Sequence, residues 1–155
     1  MTKTNGKNSG VQTILDLSAL PSRDFMVNIE LSSEDTPTII QIPCRAMTFK
    51  RYQEIGRMVE DPDPPYVAGK QGKIYDFQDR AYLRAKEVAG EKRQYLRLAE
   101  FVQATIPGAD LQEKADWMAE HMEAGILLAL RRAMDGSMIG GVAHIEARAE
   151  SFRPD

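Results

Sequence analysis

The chain is 155 residues long, with 43% hydrophobic and 28% charged residues and a net charge of −3. That is the size and make-up of one ordinary globular domain, which buries roughly 70% of its unfolded surface without disulfide or metal staples. The acidic balance excludes a general nucleic-acid or membrane-surface binder, which needs a basic footprint, and the single cysteine, Cys44, excludes an internal disulfide and a thiolate metal cluster.

Residues 1–24 are rich in Thr, Asn, Ser, Gly and Lys. They cannot bury enough apolar area to offset their ordering entropy, so a flexible segment is predicted, with a short element at residues 11–17. The opening MTKTNGKNSG has no apolar run behind it and does not read as a signal peptide. The longest apolar stretch, residues 124–130, falls far short of the ~20 residues that span a bilayer. Both features point to the cytoplasm.

Phe25, Val27, Ile29 and Leu31 alternate with Met26, Asn28 and Glu30, the period of two expected of a half-buried strand. Residues 32–37 are turn material. Residues 38–42 are β-branched and stop at Pro43, which lacks the N–H that a ladder needs. Together they predict a β-hairpin with a loop of about six residues. Two strands alone are marginal, so the hairpin must lie on helices or pair with another chain, and an exposed edge offers self-association.

Thr48 suits the N-cap of a short helix whose Phe49, Tyr52, Ile55 and Val59 share a face. Asp61-Pro62-Asp63-Pro64-Pro65 stops it, and a loop runs on through Gly69 and Gly72 to about Tyr75. Asp76 with Asp79 resembles a capping box for a long helix over 77–105. Ala81, Ala85, Val88, Tyr95, Ala99 and Val102 make its apolar face, widened by Leu83, Leu96, Leu98 and Phe101. Gly90 in its interior costs ~1 kcal/mol against alanine and favours a bend. Pro107-Gly108 breaks the pattern, and Asp110 with Glu113 forms the next capping box. A third helix is predicted over 111–134, with Leu111, Ala115, Met118, Met122, Ile126, Ala129 and Ala133 as its stripe, ended by Asp135-Gly136. Beyond it, Met138, Ile139, Val142 and Ile145 fit either a strand or a partner-binding segment, and residues 146–155 look loose.

The expectation is therefore a mainly helical α+β fold: an N-terminal β-hairpin, three principal amphipathic helices and flexible termini. Residues 25–136 form the single domain, between a flexible segment 1–24 and a flexible or partner-binding tail 137–155.

Motifs for chemistry are sparse. Gly69-Lys70-Gln71-Gly72-Lys73 lacks the first glycine and the Ser/Thr of a P-loop and reads as a flexible loop. Gly136, Gly140 and Gly141 do not lie between a strand and a helix start, as a dinucleotide fold requires. His121 and Glu123 give His-x-Glu, but no Pro-Cys-x-x-Cys follows as in a zinc deaminase, and Met118 replaces the glutamate of a di-iron helix. His121 is expected to pack near Trp117, and Cys44 to be a small buried hydrophobe. No catalytic, cofactor-binding or metal-binding residue is assigned, and the chain reads as non-enzymatic. An enzyme would need a site built from residues without motif spacing.

Glu113, Asp116, Glu120 and Glu123 recur three or four apart, as a solvated face or a surface that meets a basic partner. Arg80, Arg84, Lys86, Lys92, Arg93 and Arg97 share the long helix with Asp76, Asp79, Glu87, Glu91 and Glu100, a salt-bridge-laced face rather than a phosphate track. The eight methionines suit core gap-filling or an adaptable apolar surface.

Met47-Thr48-Phe49-Lys50-Arg51-Tyr52-Gln53-Glu54-Ile55 is followed by the proline-rich break, then Asp79-Arg80-Ala81-Tyr82-Leu83-Arg84-Ala85 and Arg93-Gln94-Tyr95-Leu96-Arg97-Leu98-Ala99. After Pro107 a second amphipathic helix closes the unit. This order, over residues 43–134, is similar to the tail assembly chaperones of long-tailed, siphovirus-like bacteriophages. The resemblance implies a non-catalytic protein that coats the tape measure protein in the host cytoplasm and keeps it soluble. By the same resemblance it would be displaced by the major tail protein and be absent from the mature virion. Helix faces would carry the binding, with Met138, Ile139, Val142, Ile145, Phe152 and the acidic Glu113, Asp116, Glu120 and Glu123 as candidate partner contacts. The alternative is a structural virion component, a head–tail connector or tail-completion protein.

Overall fold

Apolar residues at alternate positions force the first hairpin. In the computed structural model, which describes residue 16, residues 24–31 and residues 37–151 (139–151 as backbone only), strand β1 (Asp24–Leu31) pairs antiparallel with β2 (Thr38–Arg45). Phe25, Val27 and Ile29 stand opposite Cys44, Ile42 and Ile40 on the face that packs into the core. On the other face Asp24 meets Arg45 at 2.6 Å, and that hydrogen bond holds the exposed carboxyl below the usual carboxylate range. The strand does not stop at Pro43 as expected. The Pro43 carbonyl points away from β1 and accepts from the Gln103 N–H at 2.7 Å. Its nitrogen points the same way, so the β1–β2 ladder loses no donor.

Helix α1 (Phe49–Gly56) starts where expected, with Thr48 accepting from the Arg51 N–H at 3.2 Å. Ile55 is fully buried and Tyr52 half-buried, while Phe49 stays exposed. The segment beyond the prolines, expected to be loop, contains a second hairpin: β3 (Tyr66–Gly69) pairs with β4 (Gly72–Tyr75) around the turn Lys70-Gln71. The positive φ that such a tight reversal needs falls on Gly72, at 125°.

The long helix α2 spans Arg80–Phe101. Its N-cap is Asp79, accepting from the Tyr82 N–H at 2.9 Å; Asp76 instead closes a turn onto the Gln78 N–H at 2.9 Å. The helix runs unbroken through Gly90 and ends earlier than expected, because Val102 becomes extended and forms a bridge with Cys44. Burial is one-sided along its length. Leu96, Leu98, Ala99 and Phe101 are buried, whereas Ala81, Ala85 and Val88 of the predicted apolar face are exposed.

The charges of α2 reach out to other elements rather than lacing its own face. Arg93 donates to the carbonyls of Gly56 and Val59, both at 3.0 Å, and pairs with Asp61 at 2.5 Å. The Arg97 guanidinium lies 3.6 Å over the Tyr52 ring, and Glu100 pairs with Arg51 at 2.7 Å. Guanidinium groups thus satisfy carbonyls that the C-terminal end of α1 leaves open.

The expected third helix is two helices, α3 (Leu111–His121) and α4 (Ala124–Ser151). Asp110 caps α3 by accepting from the Glu113 N–H at 2.9 Å, and Glu113 reaches back to the Ala109 N–H at 2.7 Å. The break comes at Met122, which is extended. It lets α3 lie along α2 while α4 turns to pack on β1 and α2. Asp135-Gly136 does not end α4, and the strand reading of the following residues fails, since the backbone stays helical to Ser151. Met134 and Ser137 are buried on either side of Gly136, and the Ser137 hydroxyl donates to the Met134 carbonyl at 2.7 Å. Packing outweighs the ~1 kcal/mol helix penalty of glycine. The expectation for residues 1–23 lies outside the described residues, apart from Asp16.

Two glycines should respond oppositely to alanine. A Cβ at Gly90 meets nothing within 4 Å, so Gly90→Ala should raise unfolding stability by about 1 kcal/mol. Gly108 has φ 137°, and a Cβ there would lie 2.7 Å from the Lys114 nitrogen. Gly108→Ala should lower stability by roughly 2 kcal/mol or more. Urea denaturation of the two variants measures both.

Candidate interaction surface

Cys44 has no exposed surface, and its thiol donates to the Ile42 carbonyl at 3.5 Å. Burial pushes its pKa up to about 12, which leaves no thiolate for nucleophilic work near neutral pH. His121 stacks on Trp117 with ring centroids 5.0 Å apart, and its Nδ1 lies 3.0 Å from the Trp117 carbonyl. Both residues occupy the packing roles that the sequence suggests. Gly69 and Lys73 belong to the β3–β4 hairpin, where Ile74 folds over Gly69. Among the described residues no group of three His, Cys, Asp or Glu side chains is placed to hold a metal ion.

The acidic stripe is not continuous. Glu113 is committed to capping α3, and Asp116 accepts from Gln112 at 3.0 Å. Glu120 is exposed on α3, but Glu123 sits in the α3–α4 break, where its carbonyl accepts from the amides of Ile126 and Leu127. In the tail, Met138 is half-buried on α4. The side chains of Ile139, Val142 and Ile145, and the whole of Phe152, lie outside the described residues.

A cleft of about 890 Å³ lies between the end of β2, the start of α1 and the α2–α3 connection. Its charges are mixed, with Arg45, Arg51 and Lys114 among Glu100 and Asp110. Arg51 is tied to Glu100, and that bond holds the guanidinium pKa above its ordinary value. The cleft therefore shows no single-sign field for a charged ligand.

A smaller groove of about 260 Å³ runs between α2 and α4. Tyr95, Leu98, Leu127 and Leu128 give it an apolar floor, and Glu91 and Arg131 stand on it with opposite charges. Leu128 is 48% exposed. Beside it, the buried Gln94 Oε1 has no hydrogen-bond partner among the described residues. An acceptor left that way costs about 1–3 kcal/mol.

A second apolar surface projects from the other end of α2. Tyr66, Val67, Ile74, Tyr75 and Phe77 are all more than 45% exposed, and the rings of Tyr66, Tyr75, Phe77 and Tyr82 follow one another at 5.8, 6.1 and 6.3 Å. Sequence reasoning assigned neither surface. A two-residue reversal between β-branched and aromatic residues was the available signal for the hairpin. The groove had none, because it joins residues of two helices that only the tertiary fold brings together.

Since the folded Cys44 thiol has a raised pKa, its neutral form stabilises the fold fully below the unfolded value near ~8.5, and that contribution is lost as pH climbs toward about 12. At pH 8 a thiol reagent should leave the native protein unlabelled and react only as the chain unfolds, with a labelling rate that tracks urea unfolding. Comparison of the chain with protein-family models, with curated proteins and with solved structures found no match.

Proposed function

We propose that the protein is a non-catalytic tail-assembly chaperone of a long-tailed bacteriophage. It binds the tape measure protein in the host cytoplasm, holds it soluble until the major tail protein takes its place, and is left out of the mature virion. The resemblance over residues 43–134 supplies the family role. The observation that carries the reading is the α2–α4 groove, with its apolar floor and flanking charges of both signs.

Such a groove suits one face of an amphipathic helix. Two or three apolar side chains entering it would contribute about 1.5–3 kcal/mol each, less the cost of association. Each contact is then modest and reversible, while many copies along one long helix protect it throughout. The exposed acids Glu120 and Glu123 would face basic positions of the same partner.

The test is co-expression with the longest helical protein encoded just downstream. The partner should become soluble and co-purify. Leu128→Asp should abolish capture while leaving the circular dichroism spectrum unchanged. Gln94→Leu should keep or raise fold stability, since an unpaired buried acceptor disappears. A partner that stays insoluble, or tails of normal length and number after gene deletion, would sink the reading. Recovery of the chain from purified virions by mass spectrometry would favour a structural component instead.

A further inference from the structure

The β3–β4 hairpin is paired along its whole length, yet among the described residues it makes no extensive contact with another element. A lone two-stranded ribbon is marginal in water, and its outer edges offer unpaired backbone groups to another strand. We propose that β4 is the self-association edge of this protein: two copies join β4 to β4 antiparallel, building a four-stranded sheet in the order β3-β4-β4-β3.

The hydrogen bonding selects the edge and the register. The Asp76 N–H donates to the Pro65 carbonyl at 2.8 Å, so it points toward the β3 side. Backbone polar groups alternate in direction along a strand, so those of Ile74 also point toward β3 and those of Lys73 and Tyr75 point outward. An antiparallel pair centred on Ile74 sets Lys73 opposite Tyr75 of the second copy, and the two residues exchange both hydrogen bonds. The β3 edge is poorer, because Pro64 and Pro65 precede it and lack N–H donors.

Side chains agree with that register. Val67 opposes Ile74 within the hairpin, and both are exposed, at 66% and 62%. Gly69 and Gly72 add no side chain to their face, and Ile74 Cδ1 lies 2.8 Å from where a Cβ on Gly69 would sit. Pairing therefore aligns Val67, Ile74, Ile74 and Val67 in one apolar ladder across four strands, a favourable cross-strand arrangement. On the opposite face Lys73 already lies 4.2 Å from the Tyr66 ring centre. The two-fold places it beside Tyr75 of the second copy as well. Charge is complementary, since the hairpin tip carries Lys70 and Lys73 and its base carries Asp63 and Asp76. Antiparallel pairing lays each basic tip toward the other copy's acidic base, with Gly72 opposite Asp76.

Sedimentation equilibrium of the full chain should show a concentration-dependent dimer. Lys73→Pro removes an outward N–H on β4, and Ala68→Pro removes one on the outer edge of β3; neither N–H serves the hairpin itself. The first should sediment as a monomer and the second as a dimer. A cysteine at the two-fold reads the register directly: Ile74→Cys should form a disulfide-linked dimer on oxidation, while Val67→Cys, one strand further out, should not. Cys44 is buried and does not compete. The crosslink also keeps the proposal falsifiable should the proline variants fail to fold. A wild-type monomer at all concentrations, equal association of the two proline variants, or crosslinking through residue 67 rather than 74 would overturn it.

Discussion

The structure depends on how α2 ends. At Val102 the chain leaves the helix, extends, and joins the outer edge of β2 through the Cys44 bridge and the Gln103–Pro43 hydrogen bond. That junction buries Phe101 completely and sets it edge-on to Phe25, with ring centroids 5.6 Å apart. A marginal two-stranded sheet thereby gains a third backbone partner and an apolar floor. The neighbouring elements are positioned from the same end of α2. Arg93, Arg97 and Glu100 hold α1, α3 lies along the helix, and α4 crosses to β1.

A core gathered at one end of a long helix leaves the other end bare. Leu96, Phe101, Ile55, Met118, Leu130 and Met134 are fully buried around the C-terminal half of α2, while Leu83 and Val88 near its start remain 45% exposed. The β3–β4 hairpin is attached at that exposed end, tied to α2 through the Phe77–Tyr82 ring contact. Such a region is held by few buried contacts and should open at lower free energy than the core. It is also where apolar groups remain available to another chain.

The groups that most often carry chemistry are absorbed by the fold, Cys44 as a buried hydrophobe and His121 as a stacking partner of Trp117. Among the described residues the surfaces left open include the mixed-charge cleft beside α1 and two apolar surfaces with charge at their margins. The α2–α4 groove has an apolar floor, and among the described residues β4 pairs on one side alone, with β3.

The amino-acid sequence by itself determined the elements whose signals are local. Period-two apolar residues marked the first hairpin, and Thr48 and Asp110 marked helix starts, because strand faces and caps are fixed within a few residues. The acidic positions Glu113, Asp116, Glu120 and Glu123 are all exposed, as a solvated face requires, whereas the charge-laced face of the long helix was visible as spacing but not realised, since Arg93 and Glu100 reach other elements. Only the tertiary structure decided the break at Met122, the passage of α4 through Gly136, the end of α2 at Phe101, and which leucines of α2 and α4 line one groove. Each of those depends on where another element lies, and local propensities of about 1 kcal/mol are outweighed by the burial of a single large side chain.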